Sequence, residues 1–97
     1  MTIDQFIAKT KAIIAEDGLD GYLPTLMLET RRAVRYSVLA DVPSDVDAEL
    51  FAKEWASQVA KHGSDYLLAF RFDNAHFKVV SRRDGVIEER VIAVEPV

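Results

Sequence analysis

Turn-forming residues divide the last third of the chain into three short segments, and this pattern limits the possible folds most. Asp-Gly favours a tight hairpin because both residues tolerate positive φ. Strands joined by such short turns must be antiparallel. A three-stranded meander is therefore predicted from Tyr66–Asp73, His76–Arg82 and Val86–Glu95, separated by Asn74-Ala75 and by Arg83-Asp84-Gly85.

A helix is predicted at the start of the chain, over residues 2–17. Thr2 and Gln5 have the spacing of a capping box, which satisfies two backbone N–H groups at the start of a helix. Gly18 fits the left-handed position that often ends one. One mostly apolar stripe follows helical spacing and consists of Ile3, Phe6, Ile7, Thr10 and Ile14.

Two strands and a second helix are predicted between these regions. The strands are Tyr22–Glu29 and Ala33–Val42, with a turn at residues 30–32. Alternation in the second strand predicts one half-buried face. The second helix is predicted to start at Ser44 or Asp45. Lys61 and His62 belong to its last turn, and Gly63 ends it. Its predicted apolar face contains Val46, Leu50, Phe51, Trp55 and Val59, backed by Ala48, Ala52, Ala56 and Ala60.

The element order is therefore α-β-β-α-β-β-β, which predicts an α+β fold. Two amphipathic helices that cover one face of a five-stranded, largely antiparallel sheet would form a two-layer sandwich. The chain has 97 residues and no visible linker or repeat. A length of this order matches one domain, so residues 1–97 are predicted to form a single α+β domain.

Assumed turn lengths determine which side chains share a face of the meander. A two-residue turn at Asn74-Ala75 pairs Arg71 with Lys78, and a three-residue loop at Arg83–Gly85 pairs Lys78 with Arg90. This register is preferred because it collects large apolar side chains on one face, and a one-residue slip moves every side chain to the other face. The predicted core face holds Tyr66, Leu68, Phe70, Phe72, Phe77, Val79, Ile87 and Val91. Glu89 also falls on it, and is expected at an edge or rim of the sheet.

The opposite, outer face is predicted to carry a basic stripe formed by Arg71, Lys78 and Arg90. Val80 and Ile92 belong to the same face, together with Leu67, Ala69, Val86 and several charged residues. An exposed sheet face with apolar members is typical of a surface that meets another chain. The main functional prediction is therefore a small non-enzymatic interaction or dimerisation module. In a dimer, an arginine of one copy would meet an acidic residue of the other.

Two alternatives use residues of the same region. The basic stripe could bind a small anion, because arginine holds carboxylates and phosphates through paired hydrogen bonds. A third and weaker hypothesis is a hydrolytic enzyme in which Asp73 orients His76 as a general base. The sequence contains no Gly-x-Ser-x-Gly elbow to accompany that pair, so no catalytic residue is assigned.

Composition excludes several other classes of function. A net charge of −4 argues against nucleic-acid binding by bulk charge. No apolar run approaches the ~18 residues that span a bilayer, so no membrane association is predicted. The chain has no cysteine and only two histidines, which lack the spacing of a zinc site. Glycine-rich phosphate or dinucleotide loops are absent from the sequence, and no metal or cofactor is predicted.

A cytoplasmic location is predicted from two features of the sequence. The first residues lack the basic and apolar regions of a secretory signal. The absence of cysteine removes the disulfides that are common in small secreted domains.

Overall fold

The computed structural model describes residues 1–29, 33–43, 45–60 and 65–94. Its elements follow the predicted order α-β-β-α-β-β-β, in an α+β fold. The five strands form one antiparallel sheet in the order β2-β1-β3-β4-β5. The elements are α1 (Ile3–Asp17), β1 (Thr25–Glu29), β2 (Val34–Val38), α2 (Ala48–Ala60), β3 (Tyr66–Arg71), β4 (His76–Arg83) and β5 (Val86–Ala93).

Helix α1 has the predicted start and end. The Thr2 side chain accepts a hydrogen bond from the Gln5 amide, and the Gln5 side chain accepts one from the Thr2 amide. This reciprocal capping satisfies two amides that have no partner within the helix. Gly18 follows the helix with φ of 89°, which suits a residue without a side chain. The predicted stripe is confirmed, because Phe6, Thr10 and Ile14 are buried.

Helix α2 begins later than predicted, at Ala48. The Asp47 carboxylate accepts a hydrogen bond from the Leu50 amide at 3.1 Å, so Asp47 caps the helix. The buried side of α2 consists of the small residues Ala52, Ala56 and Ala60. Trp55 packs partly buried beside them. The predicted apolar face is therefore wrong in part, and Val46, Leu50 and Val59 are exposed.

The two helices lie on opposite faces of the sheet, which corrects the predicted two-layer arrangement. Successive side chains of a strand point to opposite faces. In β3, Leu68 belongs to a buried cluster with the alanines of α2, whereas Leu67 belongs to one with Phe6 and Ile14 of α1. The sheet is therefore the middle of three layers, and β3 is buried along its length from Tyr66 to Phe70.

The two hairpin turns have the opposite lengths from those predicted. Phe72 N donates to His76 O at 3.0 Å, so three residues, Asp73–Ala75, form the first loop. The second turn has two residues, Asp84 and Gly85, with φ of 52° and 79°, as a two-residue primed hairpin turn requires. Each change shifts the pairing by one residue. Arg71 thus pairs with Phe77, Phe70 with Lys78, and Lys78 with Val91.

This shift moves several side chains from the predicted faces. Of the predicted core residues, Phe72, Ile87 and Val91 are exposed. Residues predicted on the outer face are buried instead, among them Leu67, Ala69 and Val80. Tyr66, Leu68, Phe70, Phe77 and Val79 are buried as predicted, although they divide between the two faces.

Some predicted boundaries are also corrected. Strands β1, β2 and β3 are shorter than predicted, and β4 extends one residue further, to Arg83. The alternating face of β2 is exposed rather than half-buried, because β2 is an edge strand. The predicted turn at residues 30–32, Ser44, the helix end at 61–63 and the last strand residue, Glu95, lie outside the described residues.

Candidate interaction edge

Strand β5 is one edge of the sheet, and the direction of its backbone groups follows from the β4–β5 pairing. Val94 N donates to Ala75 O at 2.7 Å in the register of that pairing. Because bonded and non-bonded pairs alternate in an antiparallel ladder, Ile92, Arg90, Glu88 and Val86 bond inward to β4. The N–H and C=O groups of Ile87, Glu89 and Val91 therefore point outward. These three residues define the β5 edge.

Apolar side chains are exposed along this strand. Val86 is 69% exposed, Ile87 58% and Val91 49%. Ile87 and Val91 lie on the α2 face of the sheet, and Val86 lies on the α1 face. Among the described residues, no strand pairs with the outer side of β5. An open strand of eight residues with exposed apolar side chains can pair with a further strand.

Four charged side chains anchor β5 from the α2 face. Lys53 Nζ lies 2.9 Å from Glu49 Oε2 and 3.0 Å from Glu89 Oε1. Lys78 Nζ lies 3.1 Å from Glu49 Oε2 and 2.7 Å from Glu89 Oε1. Each lysine thus contacts both glutamates. This ion-pair cluster of Glu49, Lys53, Lys78 and Glu89 connects α2, β4 and β5.

The cluster shifts the pKa of each of its members. The hydrogen bond from Lys78, followed by that from Lys53, lowers the pKa of Glu89 below its usual value. The hydrogen bond from Lys53 does the same for the pKa of Glu49. The glutamates raise the pKa of both lysines in return. All four groups are therefore held in their charged forms near neutral pH.

The contribution of the ion-pair cluster to stability can be tested with Glu89→Gln, by comparing its free energy of unfolding with that of the wild type at neutral and at acid pH. A carboxylate with a lowered pKa stabilises the fold above its ordinary value of 4.5, and this contribution disappears as the pH falls through the lower folded value. The side chain is 37% exposed, so solvent screening limits the expected loss at pH 7 to about 1 kcal/mol or less. Urea unfolding of dilute protein at pH 7 and below pH 3 measures it.

The control for this comparison is Glu54→Gln, which changes an exposed carboxylate of α2 outside the cluster. The difference between wild type and Glu89→Gln should vanish in acid, while Glu54→Gln should follow the wild type at both pH values. An equal loss for Glu89→Gln at pH 7 and below pH 3 would show that the ion pairs do not stabilise the fold.

Ion pairs also anchor β5 from the α1 face. Arg90 Nη1 lies 2.8 Å from Asp4 Oδ1 at the start of α1, and Arg90 Nη2 lies 3.3 Å from Glu88 Oε2. Ile92 packs against the buried cluster of α1. Both helices therefore hold this strand in place, so the β5 edge is preorganised.

The five residues predicted to form one binding surface do not lie together. Lys78 is in the ion-pair cluster on the α2 face, whereas Arg71 and Arg90 lie on the α1 face. Val80 is 1% exposed in the core beneath α2. The predicted basic stripe therefore does not exist as a continuous surface. Arg90 and Ile92 remain on β5, beside the outward-facing residues.

Arg71 lies on the opposite side of the sheet from Lys78 and is surrounded by acceptors. Its Nε donates to Asp73 O at 3.3 Å, and Nη2 lies 3.6 Å from Asp20 Oδ1. The same guanidinium donates to the Asn74 side chain. Arg71 thus joins the β3–β4 loop to the segment before β1.

Asp73 and His76 are neighbours, as the sequence predicts. His76 Nδ1 lies 2.7 Å from Asp73 Oδ1. The same oxygen accepts the Ala75 amide at 2.8 Å, and this bond is the main reason why the pKa of Asp73 is lowered. At the hairpin tip Asp73 is exposed and His76 is partly exposed. The contacts stabilise the three-residue loop.

Sequence reasoning missed Glu49 and Lys53 as parts of this region. Their i, i+4 spacing predicts a helical ion pair, but their contact with β4 and β5 depends on the strand register.

Within the described ranges, no group of three or more His, Cys, Asp or Glu side chains could hold a metal ion. In that same part of the chain, no helix combines the length and apolar character needed to cross a membrane.

Compared with known proteins, the chain matches no family model, no curated protein and no solved structure. What it does is therefore inferred from its own residues.

Proposed function

We propose that this chain is a small non-enzymatic interaction module, and that its β5 edge binds a strand of another polypeptide. The observation that carries the proposal is the outward direction of the backbone groups of Ile87, Glu89 and Val91. Main-chain hydrogen bonds supply affinity when a strand is added to a sheet, and alternating side chains supply specificity. Exposed Ile87 and Val91 add apolar area beside these groups.

The anion-binding alternative has less support from the contacts of its three cations. Arg71 lies near Asp20, Lys78 contacts Glu49 and Glu89, and Arg90 contacts Asp4 and Glu88. An anion would have to displace these carboxylates at three separate places. The hydrolytic alternative also has less support, because the contacts of Asp73 and His76 stabilise their own turn. A cytoplasmic location stays a prediction.

The test of strand addition is Val91→Pro. Proline removes the N–H of Val91, which points away from β4, and leaves the β4–β5 ladder intact. We expect association to be weakened at least about tenfold, because an outward hydrogen bond is lost and the pyrrolidine ring obstructs the incoming strand. The matched control is Val91→Thr, which keeps the amide and the β-branched shape. Sedimentation velocity over a concentration series measures self-association of all three chains.

Cross-linking in extracts of the source cells extends this test to a partner other than the chain itself. The proposal is supported if the wild type and Val91→Thr associate with a chain at residues 86–93 and Val91→Pro does not. It is contradicted if Val91→Pro associates as the wild type does. A wild type that stays monomeric up to about 1 mM, with no chain cross-linked at this strand, also contradicts it.

A further inference from the structure

The residue types of β5 are arranged nearly symmetrically on the two sides of Glu89. Glu88 precedes Glu89 and Arg90 follows it, and two aliphatic residues lie beyond each of these, in Val-Ile-Glu-Glu-Arg-Val-Ile over residues 86–92. We propose that the strand bound at the β5 edge is β5 of a second copy, paired antiparallel about a two-fold axis at Glu89. This inference rests on the proposed function and names its partner.

Opposite charges meet on the α1 face in this arrangement. Glu88 lies opposite Arg90 of the second copy, and Arg90 lies opposite its Glu88. Both residues bond inward to β4, so they form non-hydrogen-bonded pairs across the new interface, where side chains approach most closely. Cross-strand pairs of opposite charge stabilise a sheet. Aliphatic residues also match, because Val86 lies opposite Ile92.

The α2 face is matched in the same register. Ile87 lies opposite Val91 of the second copy, and the backbone groups of both point into the interface. These pairs cover two exposed aliphatic side chains in each copy. Apolar burial and backbone hydrogen bonding therefore favour the same register.

Neighbouring symmetric registers place like charges together. An axis at Glu88 pairs Glu88 with itself and Ile87 with Glu89. An axis at Arg90 pairs Arg90 with itself and Glu89 with Val91. Like charges directly opposite each other destabilise a sheet, and each shift also places a charge against an aliphatic side chain. The axis at Glu89 also places two carboxylates together, but each is already paired with Lys53 and Lys78. Among the three registers, only this one pairs Glu88 with Arg90 and leaves no charge opposite an aliphatic side chain.

The two Glu89 side chains meet at the axis, and the ion-pair cluster makes this contact tolerable. Each Glu89 is already hydrogen-bonded to Lys53 and Lys78. The two-fold axis of an antiparallel pair is perpendicular to the sheet, so the clusters of both copies lie on the same side. Four lysines therefore flank the two carboxylates.

The other edge strand, β2, is less suited to the same role. It has five residues. The backbone groups of Val34, Tyr36 and Val38 point away from β1, and their side chains lie on the α1 face of the sheet. Lys9 Nζ lies 3.9 Å from the centre of the Tyr36 ring. A side chain of α1 thus partly covers Tyr36 on this edge, and covering an edge strand with a helix protects it from pairing.

The decisive experiment exchanges charges between two chains. Glu88→Arg alone places two arginines opposite each other at each 88–90 pair, and Arg90→Glu alone places two glutamates there. Each variant alone should dimerise at least about tenfold more weakly than the wild type. An equimolar mixture restores both attractive pairs, so heterodimers should form within about threefold of the wild-type affinity. Sedimentation equilibrium measures these constants, and thermal unfolding checks that each variant folds.

A second measurement uses the absence of cysteine from the chain. Glu89→Cys should form an intermolecular disulfide on mild oxidation, because bonded antiparallel partners have Cα atoms about 5.5 Å apart. Ser57→Cys, on the exposed side of α2, is the control and should cross-link much more slowly. Equal rates for the two variants would contradict the axis at Glu89.

Failure of this inference can be told apart from failure of strand addition. If the mixture associates no more tightly than its components, but wild-type association remains sensitive to Val91→Pro, another strand or register occupies the edge. The second-copy inference then falls, and the proposed function stands. If association is insensitive to Val91→Pro as well, both fall.

Discussion

Replacing Phe77 with alanine should lower the free energy of unfolding by roughly 3–5 kcal/mol. Phe77 is fully buried in the cluster beneath α1, where it is among the largest side chains without solvent contact. Truncation removes most of its apolar area from the core and leaves a cavity that the neighbouring strands can close only in part. Urea unfolding followed by circular dichroism measures the change.

The matched control is Phe72→Ala. The sequence register places both phenylalanines in the core, but Phe72 is 47% exposed, with Lys78 5.5 Å from its ring centre. Its truncation should cost roughly 1 kcal/mol or less. Equal losses at the two positions would support the predicted register over the observed one. If Phe77→Ala does not fold, Phe77→Leu should give a smaller loss that still exceeds the loss for Phe72→Ala.

The elements themselves could be predicted because their signals are local. The capping box of Thr2 and Gln5 determines the start of α1, and Asp84-Gly85 indicates a hairpin within a few residues. Helical and strand periodicities then separate α1 and α2 from the five strands. The element order, the α+β class and the position of Glu89 on an edge strand are confirmed.

The strand register could not be predicted because the pattern of β3 does not select it. Tyr66–Phe70 is apolar at every position and buried on both faces, so a one-residue slip leaves β3 equally apolar. The register depends instead on the two turn lengths. The Asp73 carboxylate holds the Ala75 amide in a three-residue loop, and positive φ at both Asp84 and Gly85 produces a two-residue turn.

The predicted site depended on that register and therefore changed with it. A one-residue slip at each hairpin placed Lys78 on the opposite face from Arg71 and Arg90. Arg90 and Ile92 lie on β5, the strand proposed to pair, and their part in binding stays a prediction. The contacts of Glu49 with Lys78 and of Lys53 with Glu89 also require that α2 lie on the correct side of the sheet, which alternation alone does not determine.

The three-layer arrangement itself can be tested with two adjacent leucines. Leu67→Ala and Leu68→Ala should each lower the free energy of unfolding by about 2–5 kcal/mol, because Leu67 is buried under α1 and Leu68 under α2. With both helices on one face, as the sequence suggested, Leu67 would lie on the outer face and its truncation would cost little. Ile87→Ala, measured in dilute monomer, is the control and should cost roughly 1 kcal/mol or less, because Ile87 is exposed there. A small effect at Leu67 beside a large effect at Leu68 would contradict a sheet covered on both faces.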